Sequence, residues 1–323
     1  MARENIYISV IIPCFNCSKW IEKCLKALES QIFTDFEVIC IDDCSTDNTM
    51  EVISSIKESS LLDITILHNS INQGPAKSRN KAISIAKGKY LAFCDSDDWY
   101  EDDFLEKMYY KLVDHGANLV MCNYRKVFES GRVPEAIQYL PNKALSNEEY
   151  MVYSKSSLCL LMFESHIIDD LIIPDLRNGE DVASVPCIEV RAKKIVAVNE
   201  VLYNYRIRRD SCSNRVSPKV FESLSNAFRF IEDNCTSEYK NALEYIGIKT
   251  VLYGAIVNGL KAKTNRSQIL NSIEDFERKY PDWYSNRYLC IFPRTKRIFL
   301  FCIKHKALRL AYLIAKVHEK VSV

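Results

Sequence analysis

Residues 90–98 read Tyr90-Leu91-Ala92-Phe93-Cys94-Asp95-Ser96-Asp97-Asp98. An apolar run stops abruptly in a carboxylate cluster. A short continuous apolar run fits a strand buried on both faces of a parallel sheet. Carboxylates crowded at the mouth of such a strand repel one another. A hard divalent cation relieves that repulsion, and Mg²⁺ or Mn²⁺ takes oxygen ligands while leaving positions for substrate phosphates. The stretch therefore implies a metal and a phosphorylated substrate. Read alone, it is equally a solvated turn that caps the next helix.

Working outward, the first half alternates strands and helices. Ile6–Pro13, Phe36–Asp42, Ile64–His68, Tyr90–Cys94 and Leu119–Tyr124 have strand patterns. Helical patterns lie between them: Ser18, as N-cap, to about Ser30; Thr49–Glu58 behind a capping Asp47; Pro75–Lys87; and Asp102–Asp114, closed by Gly116. Strands separated by helices imply an α/β fold with a mostly parallel sheet and right-handed crossovers. Ligands of such sheets bind outside the carboxyl ends of the strands. Those ends carry Pro13-Cys14-Phe15-Asn16, Asp42-Asp43-Cys44-Ser45-Thr46-Asp47 and Asp95-Ser96-Asp97-Asp98. Three polar clusters on one sheet edge are hard to explain as unrelated turns.

Beyond Arg125 the pattern loosens. Ser146 is expected to cap a short helix through Ser154, and Ser157–Phe163 is an apolar run of either type. Asn178-Gly179-Glu180-Asp181 precedes a helix to Arg191. Ile195–Val198 and Leu202–Arg206 read as two short strands, and Ser213–Pro218 as a linker. Helical periodicity dominates Val220–Val323. The expected division is a catalytic domain over residues 1–215 and a helical region over 216–323.

The 323 residues hold a full α/β domain and a smaller partner. A net charge of +1 gives no support to nucleic-acid binding. Thirteen scattered cysteines, several inside apolar runs, fit free thiols in a reducing cytosol. Cys14 and Cys17 have metal-like spacing, but no second pair completes a zinc site. No signal peptide and no bilayer-length apolar stretch is visible, so a cytoplasmic protein is expected.

The ordered motifs resemble those of the inverting family 2 glycosyltransferases with the GT-A fold. Ser9–Asn16 looks like that family's opening strand and turn. Ile41–Thr49 looks like its nucleotide-binding motif, and Asn72–Asn80 like its third motif. Asp95–Asp98 matches its metal motif, and Gly179-Glu180-Asp181 its catalytic-base motif. Tyr203–Arg206 with Ser211-Cys212-Ser213 resembles the closing segment. The resemblance covers roughly residues 6–215 and finds no counterpart in the C-terminal third.

The resemblance implies a sugar-nucleotide donor, with UDP as the expected carrier. Asp43 would accept a hydrogen bond from uracil, with Phe15 beside the base and Pro13 and Asn16 also among the nucleotide-sugar-binding residues. Arg79 and Asn72 would face the diphosphate. Asp95 and Ser96 would hold the ribose side, and Asp97 would bind Mn²⁺ or Mg²⁺. Asp181 would be the general base, with Glu180 second, for a hydroxyl of a glycan or lipid-linked acceptor in surface polysaccharide synthesis. Arg206, Arg208 and Arg209 would clamp phosphates, or form a surface charge run. The bland readings are core packing for Phe15, helix caps for Asp43 and Asp181, and a solvated helix residue for Arg79. Val182, Ala183 and Ser184 are smaller than the family pattern, and Ser157–Phe163 lacks its usual polar residues, so the acceptor side departs most. A nucleotidyltransferase would bring a Gly-rich loop after strand one, which Cys14–Lys19 lacks. A non-catalytic nucleotide-sugar-binding module is the remaining alternative.

Residues 294–320 are basic and amphipathic, with Glu319 the sole acid. Such a helix suits either a membrane interface or packing against the protein. Peripheral contact with the inner membrane face is expected, each basic residue contributing about 1 kcal/mol near an anionic surface.

Overall fold

The computed structural model describes residues 7–208, 216–235 and 237–321. Arg209 and the Ser211-Cys212-Ser213 motif lie outside these residues. By internal contacts the chain divides into two compact units. The first is Met1–Asp175 with Ile188–Arg209, and the second is Leu176–Cys187 with Asp210–Val323.

The first unit is built on β1 (Ile8–Cys14), β2 (Phe36–Asp42), β3 (Ile64–His68) and β4 (Tyr90–Phe93), in spatial order β3-β2-β1-β4 and all parallel. Every residue of β2 and β4 is buried, as their unbroken apolar runs require of strands covered on both faces. The helices α1 (Ile21–Glu29), α2 (Thr49–Ser59) and α3 (Pro75–Ile83) supply the crossovers. The chain winds from β1 through β2 to β3 on one side, then returns to place β4 on β1's other side. This reversal puts the carboxyl ends of β1, β2 and β4 at a topological switch point.

The sheet is less parallel beyond β4. β8 (Leu161–Glu164) inserts between β4 and β6 (Leu119–Phe128), antiparallel to both. β7 (Glu135–Ile137) pairs antiparallel with β6, and β5 (Trp99–Tyr100) with β9 (Ile195–Ile207). β6 and β9 run parallel. The two short strands expected at 195–198 and 202–206 are thus one strand, whose ladder shifts register opposite Asn123. α4 (Phe104–His115) ends at Gly116, which takes φ 55°. α5 (Asn147–Tyr153) carries the expected cap at Ser146, with Glu149 closing a capping box.

Ser18 does not cap α1. Its backbone N–H and hydroxyl both donate to Asp47 Oδ2, at 3.1 and 2.7 Å. The other Asp47 oxygen accepts from the Thr49 backbone at the start of α2, at 3.1 Å. One carboxylate therefore ties the loop after β1 to the loop after β2.

In the second unit, α6 (Glu180–Arg191) begins on the Glu180-Asp181 pair and continues into the first unit's share of the chain. α7 (Pro218–Asn234), α8 (Lys240–Gly247), a π-helical stretch (Ile248–Ala255), α9 (Ile256–Lys261) and α10 (Arg266–Lys279) follow. A Cβ on Gly247 would lie 2.3 Å from Phe228 Cζ, so only glycine lets α7 pack so closely there. The basic tail is not one helix. It forms α11 (Arg294–Lys304) and α12 (Leu308–Val321), broken at Lys306, which adopts φ 53°.

Candidate active site

Three loops of the first unit meet at the switch point. After β1, Phe15 is half exposed and Asn16 takes φ 48°. Asn16 Oδ1 accepts from the Thr46 backbone N–H at 2.8 Å, and its own N–H donates to Ser45 Oγ at 2.9 Å. The Asn16 amide thus clamps the loop after β2. Pro13 lies within β1, opposite Ile41. A large aromatic left in solvent beside such a pinned loop suits stacking on a flat ligand better than core packing.

Asp43 is buried, and protein amides engage both of its oxygens. Asn69 Nδ2 and the Gln73 N–H donate to Oδ1, each at 2.9 Å, and the Gly74 N–H donates to Oδ2 at 2.7 Å. Asn72 Nδ2 donates to the Asp43 carbonyl at 3.2 Å. Asp43 and Asn72 therefore shape the turn that enters α3, where Gly74 takes φ 87°. An incoming base N–H would have to share a carboxylate oxygen with these amides.

The carboxylates after β4 have different partners. Arg79, almost fully buried in α3, donates through Nη2 to Asp95 Oδ1 at 2.7 Å, while the Asp95 side chain is 39% exposed. Asp98 is buried. Tyr203 Oη donates to its Oδ2 at 2.6 Å and the Arg206 backbone N–H to its Oδ1 at 2.7 Å, which latches the loop onto β9. Asp97 lies between them, with Arg208 Nε 2.7 Å from its Oδ2. Arg206 Nε donates to the Asp97 carbonyl at 2.8 Å. Two tryptophans flank these arginines. Arg208 lies over Trp20 at 4.3 Å, and Trp99 sits between Lys23 at 3.3 Å and Arg206 at 5.0 Å.

The electrostatics follow from this crowding. Burial, then the neighbouring Asp95 charge, raises the Asp97 pKa, with Arg208 and Arg206 opposing. Burial, then the charges of Asp97 and Asp95, holds the Asp98 carboxyl well above its usual range. Ser96 hydrogen-bonds the Cys17 thiol, and the pKa of that thiol is lowered chiefly by its bond to Cys14. No group of three or more potential metal ligands occurs among the described residues. Asp97, whose carboxylate is disfavoured as an anion by its surroundings and is paired with Arg208, is the residue there that could hold a hard divalent ion. Mg²⁺ is often held by one or two carboxylates plus substrate phosphates.

Of the residues expected at the site, the first unit brings together Phe15, Asn16, Asp43, Asn72, Arg79, Asp95, Ser96 and Asp97. Asp181 belongs to the second unit, in the first turn of α6. Sequence reading missed Trp20, Lys23, Trp99 and the Tyr203 latch. Tyr203 stood within a quoted motif, but its hydroxyl's partner is distant in sequence.

Residues 9–165 match the family model described as Glycosyl transferase family 2. EpsH of Bacillus subtilis is 30% identical over 285 residues, covering 83% of this chain and 80% of EpsH. The chain belongs to glycosyltransferase family 2. GlyA of Streptococcus pneumoniae is 28% identical over 238 residues, and this glycosyltransferase spans only 33% of its length. The structure of Staphylococcus aureus TarS residues 1–349, in complex with UDP-GlcNAc, superposes with a TM-score of 0.74 at 22% identity, covering 97% of this chain and 92% of that one. The GT-A fold likeness therefore extends past residue 215, into the helical third for which the motifs gave no counterpart. Family membership sets aside the nucleotidyltransferase reading.

Proposed function

We propose that this glycosyltransferase moves a sugar from a UDP-linked donor to a hydroxyl of a surface glycan or lipid-linked acceptor, with inversion and with a divalent cation. The observation that carries the reading is the carboxylate cluster at the mouth of β4, ringed by Arg79, Arg206, Arg208 and Tyr203 in a family 2 chain. The TarS complexes with UDP-GlcNAc and UDP make UDP-GlcNAc the first donor to test.

In this reading Phe15 stacks on the uracil, and the Asp43 turn presents backbone groups to the nucleoside. Asp95 orients the ribose, with Arg79 holding its carboxylate in place. Asp97 would hold the cation, and Mg²⁺ or Mn²⁺ bound there would supply Lewis-acid stabilisation to the departing diphosphate. Arg206 and Arg208, which lie beside Asp97, would pair with phosphate oxygens. Asp181 accepts the proton of the acceptor hydroxyl as it attacks the anomeric carbon. A diphosphate leaving group departs without needing a proton, so one base suffices, unlike the acid–base pair of glycosidases.

UDP release from UDP-GlcNAc, measured with Mn²⁺ and then with EDTA, tests the reading. Cation-dependent turnover supports it. Donor binding without any turnover in the presence of acceptor would support a binding module instead. Asp181→Asn should keep UDP binding and lose transfer; transfer at the normal rate would remove Asp181 as the base.

We also propose that α11 and α12 rest on an anionic membrane surface. Among the described residues no helix is long and apolar enough to cross a membrane. The outer faces of α11 and α12 expose Ile298, Phe301, Leu310 and Leu313, while Phe299, Leu300, Ile303, Leu308 and Ala311 are buried. Arg294, Arg297 and Arg309 make no ion pair among the described residues, which suits lipid phosphates.

A further inference from the structure

The paired strands β6 and β9 carry a cluster that the donor chemistry leaves unused. Tyr124 pairs in register with Tyr203, and Lys126 with Tyr205. In parallel register these four side chains share one face. Tyr203 is the residue whose hydroxyl reaches Asp98 at 2.6 Å. Tyr205 follows it on the same face, roughly 7 Å farther along the strand at about 3.3 Å per residue. The cluster therefore begins one side-chain step beyond the carboxylates.

Tyr124 packs against Tyr205 with ring centroids 6.4 Å apart, and against Tyr139 at 6.2 Å. All three rings are partly exposed. Tyr139 is anchored by donating its hydroxyl to the Cys122 carbonyl at 2.8 Å. Lys155, just past α5, holds its ammonium 5.7 Å from the Tyr139 ring. Neither Lys126 nor Lys155 makes an ion pair among the described residues. Glu135 stands across from Lys126 on β7, but it is exposed and does not close a pair. Lys155 is exposed as a whole, but partial desolvation of its ammonium lowers its pKa, and the Lys126 charge lowers it further. Two like charges on one partly exposed surface, with no acid closing a pair, favour a visiting anion. Partly exposed tyrosine rings beside them present flat apolar surface for the C–H face of a sugar or polyol.

We propose that Tyr124, Lys126, Tyr139, Lys155 and Tyr205 form an acceptor subsite for an anionic glycan. The rings carry the sugar or polyol, and the two ammonium groups take a phosphate or carboxylate next to the hydroxyl that is glycosylated. This deepens the transferase reading and rests on it for the word acceptor. It also accounts for the sparse polar residues at 157–163, because the charge recognition is supplied from β6 and from Lys155.

The test uses the full chain with Mg²⁺ at fixed ionic strength and three fluorescent probes of matched length. These are a phosphodiester-linked polyol oligomer, a uronic-acid oligosaccharide and neutral dextran. Wild type should bind at least one anionic probe about tenfold or more tighter than dextran, the scale of one or two hydrogen bonds to a charged group. Comparing the two anionic probes shows whether phosphate or carboxylate is the recognised group. A Lys126→Ala/Lys155→Ala variant should lose that preference while keeping its affinity for UDP with Mg²⁺, which also reports that it is folded. Tyr205→Ala should weaken all three probes. Equal binding of dextran and both anionic probes by wild type, or a preference that survives in the double lysine variant, would overturn the subsite. Tight anionic binding by a wild type that ignores UDP would leave the subsite standing and remove the donor reading instead.

Discussion

Asp98 shows what the carboxylate cluster does to single side chains. It is buried, its pKa is raised well above the usual range by burial and by Asp97 and Asp95, and only Tyr203 and the Arg206 N–H oppose that. A carboxyl group with a raised folded pKa stabilises the fold fully below its unfolded value, near 4. That contribution is lost as pH rises through the folded value. The Asp98 contribution to stability should therefore fall as pH rises from about 4 towards neutrality, so Asp98→Asn should gain melting temperature relative to wild type over that range. Superimposable wild-type and variant pH profiles would contradict this. Tyr203→Phe should lower stability by about 1–3 kcal/mol, since it leaves a buried carboxylate oxygen short of its donor; the readout is the thermal midpoint. At this scale the sequence was informative about residue type and poor about partners. That Asp97 and Asp95 differ from Asp98 was open in the motif, because the distinction lies in contacts from α3 and β9. Asp43 was assigned to a base, and its carboxylate also holds the turn that enters α3 through Asn69, Gln73 and Gly74.

Several strand and helix spans were legible from their apolar runs. β2 and β3 fall where those runs put them, and α4 stops at the glycine that ends its pattern. Strand direction was not legible in the apolar run Ser157–Phe163, because hydrophobicity is blind to it: the strand there, β8, runs antiparallel to both neighbours. The break at Lys306 was hidden for another reason. A helix usually ends in the left-handed conformation at glycine, and here lysine adopts it. Its ammonium is held by Glu274 at 2.8 Å. Lys306→Gly should therefore be tolerated or slightly stabilising if backbone strain outweighs the ion pair, and a clear drop in melting temperature would show the pair to be the larger effect. Gly88 gives a stricter case. A Cβ there would lie 2.4 Å from the Ser9 backbone nitrogen, and the Gly88 N–H donates to Ser9 Oγ at 2.8 Å. Gly88→Ala should cost about 1–3 kcal/mol by forcing β1 aside, seen as a lower thermal midpoint; an unchanged midpoint would mean the strand end yields freely.

For the whole molecule, the alternation of strands and helices was enough to bring the polar loops after β1, β2 and β4 to one sheet edge. The helical third carries no comparable motif, and its likeness to TarS lies in fold at 22% identity, where little sequence signal survives. The proposed membrane face belongs to this scale. Vesicles with anionic lipid should pellet the wild-type chain, and Arg294→Glu/Arg297→Glu/Arg309→Glu should release it, whereas pelleting that ignores both lipid charge and these substitutions would argue against the face. The donor assignment depends on Asp97 and a divalent ion acting together on the diphosphate. Calorimetric titration of UDP into the full chain addresses this directly, comparing wild type with Mg²⁺, wild type with EDTA, and Asp97→Asn with Mg²⁺. Binding in the first case, with a loss of about tenfold or more in the other two, is the expected result; UDP affinity that is equal in all three would contradict it.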